Sequence, residues 1–199
     1  MVENIRKNNI VIKMVEIIRI PHERVPAMRG DADSALQMLE LKLHCQIEVS
    51  EEGEVELSGE PIDEFFGKDV IRAIGRGFAP HIALKLLKDE MGFNLVDLRD
   101  YASKPEAMTR IKGRIIGEEG KAKKIIEQEA KANLAIWGHT VGVIAPLETL
   151  DIATTAVFKL VEGQPHQVVY MYLEKNRRRM EQETKGAGMW NQPKPVKTK

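Results

Sequence analysis

A stretch of this chain occurs twice, and the duplication limits the fold more than any other feature, because a repeated segment has to build the same unit both times. Setting Gly30 on Gly117 aligns VPAMRGDADSALQMLELKLHCQIEV with KGRIIGEEGKAKKIIEQEAKANLAI. Downstream, Asp69-Val70-Ile71 pairs with Asp151-Ile152-Ala153. Gly77-Phe78-Ala79-Pro80-His81 echoes Gly163-Gln164-Pro165-His166 with one residue dropped. The copies start about 80 to 90 residues apart, and 199 residues with 43% hydrophobic content can build a core for each.

Each copy reads the same way. In the first, residues 14–20 form a β-branched run closed by Pro21, which predicts a strand. A short helix leads from His22 to Gly30. A second spans 33–43, with Leu36, Met38, Leu39, Leu41 and Leu43 suited to a mostly buried face. Residues 46–49 and 54–57 alternate in period two around Glu51-Glu52-Gly53, a hairpin whose glutamates lie on a solvated face. Residues 63–74 return as an amphipathic helix ended by Gly75-Arg76-Gly77.

In the second copy the strand is 93–98, the first helix 105–116, the turn 117–120 and the second helix 121–132. A tight hairpin of 134–137 and 140–144 turns at Gly138-His139, and 147–161 supplies the closing helix. The predicted class is α+β: β-α-α-β-β-α twice, each a three-stranded antiparallel sheet covered on one face by helices. Residues 79–91 read as a connecting helix, and 168–183 as an exposed C-terminal helix carrying Lys175, Arg177, Arg178 and Arg179. Beyond Gly186 the composition predicts a mobile tail. The expected divisions are 10–91, 92–185 and a flexible 186–199.

The formal net charge is zero, which taken alone disfavours a polyanionic partner, but the sum hides a split. Residues 1–100 carry 13 Lys+Arg against 19 Asp+Glu, and residues 101–199 carry 17 against 11. Only the second half is suited to facing a polyanion.

Within that half, Gly117-Glu118-Glu119-Gly120 joins two helices. Glycines permit a tight corner and a close approach by a ribose-phosphate chain, and the following helix presents unpaired N–H groups and the positive end of its dipole there. Lys121 and Lys124 supply charge-assisted contacts to phosphate, and Arg114 is expected to reach in from the other side. Glu118 and Glu119 repel phosphate, so their side chains are expected to point outward while the backbone binds. A bare G-x-x-G means little; its setting between Ile115-Ile116 and Lys121, then Ile125-Ile126 and a strand at Leu134, is the informative part. The first copy has Gly30-Asp31-Ala32-Asp33 there, without the second glycine and with Ser34 for Lys121, which predicts a structural or protein-binding role.

Other chemistries lack their residues. Ile115 and Ala122 stand where a nucleotide P-loop needs glycine and Ser or Thr. The five histidines are scattered, and a lone Cys45 provides neither an intramolecular disulfide framework nor a zinc cluster, so no catalytic group, metal or cofactor is expected. Trp137, at a strand end, is suited to stacking on a base and no less to packing or to a surface role. No apolar run reaches the roughly 20 residues needed to span a bilayer, and a cytoplasmic, non-membrane protein is expected.

With these motifs in place, the chain resembles the type I KH family. The segments RIKGRIIGEEGKAKKIIE and VEGQPHQVVYMYLEKNRRRM extend the likeness to archaeal two-KH ribosome-biogenesis proteins, relatives of the eukaryotic partner-of-Nob-one and Krr-type KH proteins. The resemblance implies single-stranded RNA held at the 117–120 loop, with bases in an apolar groove formed by Ile115, Ile116, Ile125, Leu134 and Ile136. Core packing competes for Ile136, as it does for Ile126. It also implies a target near the 3′ end of small-subunit ribosomal RNA, with the maturation endonuclease and other assembly proteins as partners. The alternatives are a protein-interaction scaffold whose modules no longer hold RNA, and an exosome- or messenger-RNA-associated KH protein.

Overall fold

Pro21 and Gly30 punctuate the first copy where backbone chemistry demands, one stopping a strand and the other a helix. A computed structural model describes residues 17–190, with side chains through residue 183. Strand β1 (Ile17–Arg19) leads through a 3-10 turn, His22–Arg24, into α1 (Val25–Arg29); residues 14–16 of the expected strand lie outside the described residues. Then follow α2 (Ser34–Leu43), β2 (Gln46–Val49), β3 (Glu54–Ser58) and α3 (Pro61–Gly75). The sheet is antiparallel in the order β1-β3-β2, with Val55 and Leu57 turned to the helices and Glu54 and Glu56 away. Met28, Leu39, Leu43, Ile71 and Ile74 fill the core, but Leu41 is 73% exposed. It sits two residues from both Leu39 and Leu43, which on a helix turns it off their face.

The expected connecting helix over 79–91 is not formed as such. One turn, α4 (Pro80–Ala83), passes into a 3-10 turn, Leu84–Leu87, and Met91 already belongs to the next strand. That strand, β4 (Met91–Asp97), begins two residues earlier than 93, and Leu98 lies in a further 3-10 turn. Next come α5 (Pro105–Ile116), α6 (Lys121–Glu129), β5 (Asn133–Trp137), β6 (Thr140–Pro146) and α7 (Leu147–Val161). Helix α6 stops short of 132, because Lys131 takes a left-handed turn (φ 51°). The second sheet is again antiparallel, in the order β4-β6-β5.

The repeat persists down to single hydrogen bonds. Glu40 accepts from Ile47 N–H at 3.0 Å, and the aligned Glu127 accepts from Leu134 N–H at 2.8 Å, each covering an amide on an edge strand. The left-handed turn at Lys131 likewise matches that at His44 (φ 52°). The closing helices need one correction. Helices α3 and α7 have 15 residues each, and counting from their first residues puts Asp69 opposite Thr155 rather than Asp151. The sequence pairing slipped by about one helical turn, which leaves the apolar face in phase.

Helix α8 (His166–Trp190) follows a turn at Gly163 and Gln164. It is longer than expected and includes residues 186–190 of the anticipated mobile tail, while 191–199 lie outside the described residues. One face is not exposed: Val169 and Leu173 are buried in the second core. No helix among the described residues is long and apolar enough to cross a membrane.

The second sheet is covered on both faces. Val141, Val143 and Ala145 face α5, α6 and α7 in one core with Val96, Ile115, Ile126 and Leu160. The intervening Ile144, with Ala135 of β5, enters the core of the first unit instead. Phe78 lies there, edge-on to Phe93 at 6.2 Å, so close that a Cβ on Gly142 would meet its ring at 2.6 Å. Arg24 reinforces the junction. Its Nε donates to Ile74 O (2.9 Å), its guanidinium to Phe78 O (2.7 Å), and it stacks 5.0 Å from the centre of the Trp137 ring. Burial lowers its pKa. Trp137 therefore packs between the units, one of the three roles open to it.

Candidate nucleic-acid interface

Helix α5 cannot run directly into α6, because Gly117 adopts φ 74°, ψ 174°. A Cβ there would lie 2.7 Å from both the Cβ and the backbone N of Ala122. Glu119 (φ 49°, ψ 28°) and Gly120 (φ 75°, ψ 13°) follow in left-handed conformations, and α6 starts at Lys121. The corner brings the first turn of α6 to the surface; Lys121 N–H donates to Glu118 O, and the amides that follow it in that turn have no carbonyl partner within the helix. In the first unit Gly30 (φ 69°, ψ −172°), Ala32 (φ 49°, ψ 42°) and Asp33 (φ 59°, ψ 18°) trace the same path. Losing the second glycine has not changed the corner, because Asp is among the few side chains that visit this region. What differs is charge.

Lys121, Lys123 and Lys124 occupy the first turn of α6, which has no acidic residue. A cation there opposes the helix dipole at a cost of about 0.3–1 kcal/mol, so this placement works against helix stability and favours an anion seated over the turn. Lys123 lies 3.9 Å from Glu127, whereas Lys121 and Lys124 are exposed with no ion-pair partner among the described residues. Both loop glutamates are exposed. In high dielectric a charge pair about 4 Å apart is worth about 1 kcal/mol, and screening reduces it, so Glu118 and Glu119 weaken phosphate binding without forbidding it.

A recess beside the loop is lined by Glu118, Glu119, Lys121, Lys124, Ile125 and Gln128. Five of these belong to the sequence-predicted set. Gln128 was missed, although it lies seven residues after Lys121 and so shares its helical face. The apolar groove is narrower than expected. Ile115 and Leu134 are buried in the core and unavailable to a ligand, Ile125 and Ile136 are half-buried against it, and Ile116 is 39% exposed at the end of α5.

Arg114 does not reach the loop from the other side. Its Nε donates to Leu160 O at 3.2 Å and its guanidinium to Gln164 O at 2.6 Å, closing the C-terminal end of α7. His166, the first residue of α8, bonds Arg114 O at 2.8 Å through Nε2. A carbonyl only accepts, so the ring carries its proton on that nitrogen.

At the end of β4, Asp97 accepts from the backbone N–H of Arg99 at 2.9 Å and pairs with its guanidinium at 2.5 Å. The side-chain bond to Arg99 is the main reason its carboxyl is held down at about 2. Among the described residues no group of three or more His, Cys, Asp or Glu is placed to hold a metal ion.

Comparison with known proteins adds a family. A eukaryotic-type KH-domain model (KH-domain type I), of the PNO1 second-domain class, matches residues 92–178. A KH domain-containing protein of Methanocaldococcus jannaschii is 37% identical over 173 residues, covering 84% of this chain and 76% of that protein. The pre-rRNA-processing protein PNO1 of Chaetomium thermophilum is 29% identical over 178 residues, covering 81% of this chain and 67% of that protein. Among solved structures, a chain of the a/eIF2alpha–aDim2p–rRNA complex from Pyrococcus horikoshii superposes with a TM-score of 0.77 at 32% identity. It covers 83% of this chain and 94% of its own length.

Proposed function

The chain belongs to the PNO1-type family of KH proteins, and on that premise we propose that it binds single-stranded RNA, in the 3′-end region of small-subunit ribosomal RNA during ribosome maturation. The observation that carries the reading is the left-handed corner at Gly117–Gly120. It opens onto a helix whose first turn holds three lysines and no acid, two of the lysines having no ion-pair partner among the described residues. Main-chain amides of that turn would seat a phosphate, Lys121 and Lys124 would add charge, and a base would lie against Ile125 with Gln128 at its edge. Relatives named for pre-rRNA processing, and a structural neighbour solved together with rRNA, support the ribosomal target.

In this reading the chain is two KH modules, about 10–91 and 92–185, and the shared element order and matching glutamate caps support counting the first as one. Only the second holds RNA. The first keeps the corner but presents Asp31 and Asp33 and acts structurally or toward a protein partner. The role is binding, not catalysis, in the cytoplasm, with the maturation endonuclease and assembly proteins as neighbours.

The test is fluorescence anisotropy with a labelled 3′-terminal ribosomal oligonucleotide. Gly120→Asp combined with Lys121→Glu should abolish binding while the thermal transition stays within a few degrees, since Asp33 already occupies the equivalent backbone position. Unchanged affinity would turn the assignment toward the scaffold reading, which Glu118, Glu119 and the altered first loop favour.

A further inference from the structure

Helix α8 is fastened to both helices that flank the loop. Arg114 O is among the last four carbonyls of α5, which have no partner within the helix, and His166 Nε2–H supplies one at 2.8 Å. The Arg114 side chain answers by capping Leu160 O and Gln164 O, so the end of α5 and the elbow between α7 and α8 hold each other. About three turns further along α8, Arg177 pairs with Glu129, the last residue of α6, at 2.8 Å. Val169 and Leu173 between these ties are buried, which seats α8 on the core.

We propose that α8 is a brace that sets the separation of α5 and α6, and that His166 is a positioning residue for RNA at the corner between them; this rests on the RNA-binding reading above. The first unit provides the contrast. Its closing helix is capped by Arg24, its chain passes into the one-turn α4, and among the described residues no helix like α8 spans α1 and α2. That is the unit whose second helix opens on Ser34 where α6 opens on Lys121, and whose loop has Asp33 in place of Gly120. A strand threaded over 117–120 has to meet amides of the corner and side chains of α6 at once. The last turn of α5, if free to fray, would blur that geometry without removing any group that touches RNA.

The experiment uses the full chain and two variants, His166→Ala and His166→Gln, with oligonucleotide affinity measured across a salt series and amide hydrogen exchange read over 114–121. His166→Ala should weaken binding about five- to tenfold, the effect of one hydrogen bond. The slope of log K against log salt should not change, because no phosphate contact is lost. Exchange at 117–120 should quicken. His166→Gln, which keeps an N–H donor, should recover most of the affinity and protection. Wild-type exchange in His166→Ala, or wild-type affinity in that variant while the unaltered chain binds, overturns the brace alone. Failure of the unaltered chain to bind the oligonucleotide overturns the RNA reading and the positioning role with it. A lowered salt slope in His166→Ala would mean that the residue touches phosphate, and also overturns the brace.

Discussion

The two glycines of the loop should not be equivalent, and alanine at each separates backbone strain from crowding. At 120 a Cβ meets nothing within 4 Å, so the cost is only that of a left-handed residue, about 1–2 kcal/mol. The stiffer unfolded chain returns about 0.4–1 kcal/mol of this, leaving about 0.5–1 kcal/mol net. At 117 the pairing of φ 74° with ψ 174° belongs to a glycine-only region, at about 1–3 kcal/mol. The Cβ would also press on the backbone N of Ala122 at 2.7 Å, which cannot swing aside as a side chain would. Crowding of that kind adds about 1–3 kcal/mol, so Gly117→Ala should cost about 2–5 kcal/mol. For a chain of this size each kcal/mol moves the thermal midpoint by about 2–4 °C. Calorimetry should therefore show a fall of about 1–4 °C for Gly120→Ala and about 4–20 °C for Gly117→Ala, with urea titration giving the same ranking. Equal losses at the two positions would refute the assignment of crowding to 117 alone.

Three further outcomes follow from the geometry. Replacing Lys121 and Lys124 by Gln should flatten the salt dependence of RNA binding by about 0.7 per residue in log–log slope, the figure for single strands, as read by anisotropy. Asp97 ionises at about 2 in the folded chain against an ordinary 3.8, so its contribution is full above about pH 4 and disappears as pH falls toward 2. The stability difference between the unaltered chain and Asp97→Asn, from urea unfolding, should close over that window and stay constant above it. Phe78→Ala should cost about 3–5 kcal/mol in the same assay, since it empties the junction against Gly142 and Phe93.

Much of this was legible in the residues. The corner at 117–120 follows from two glycines between amphipathic segments, and the duplicated order follows from the aligned repeats. Side-chain destinations were harder. Ile115 and Ile116 are neighbours separated by about 100° around α5, and without knowing where the sheet lay, nothing chose which faced the core. Arg114 looked like a phosphate ligand because its true partners, the carbonyls at the end of α7, are distant in sequence. Residues 140–146, by contrast, carry a direct signal of their burial. Thr-Val-Gly-Val-Ile-Ala-Pro is nearly continuous in apolar character, and such a strand is covered on both sides. The many cations of α8 predict an exposed element and hide Val169 and Leu173, two residues four apart on one face.

The double covering of β6 bears on how this molecule can be dissected. Excising the C-terminal half for use elsewhere would strip the first half from Ile144 and Ala135 and leave a greasy plane open to water, so the fragment should self-associate or demand new polar residues there. The smallest transplantable piece is the pair of halves, and a recombination that separated them would have to redesign the plane at once.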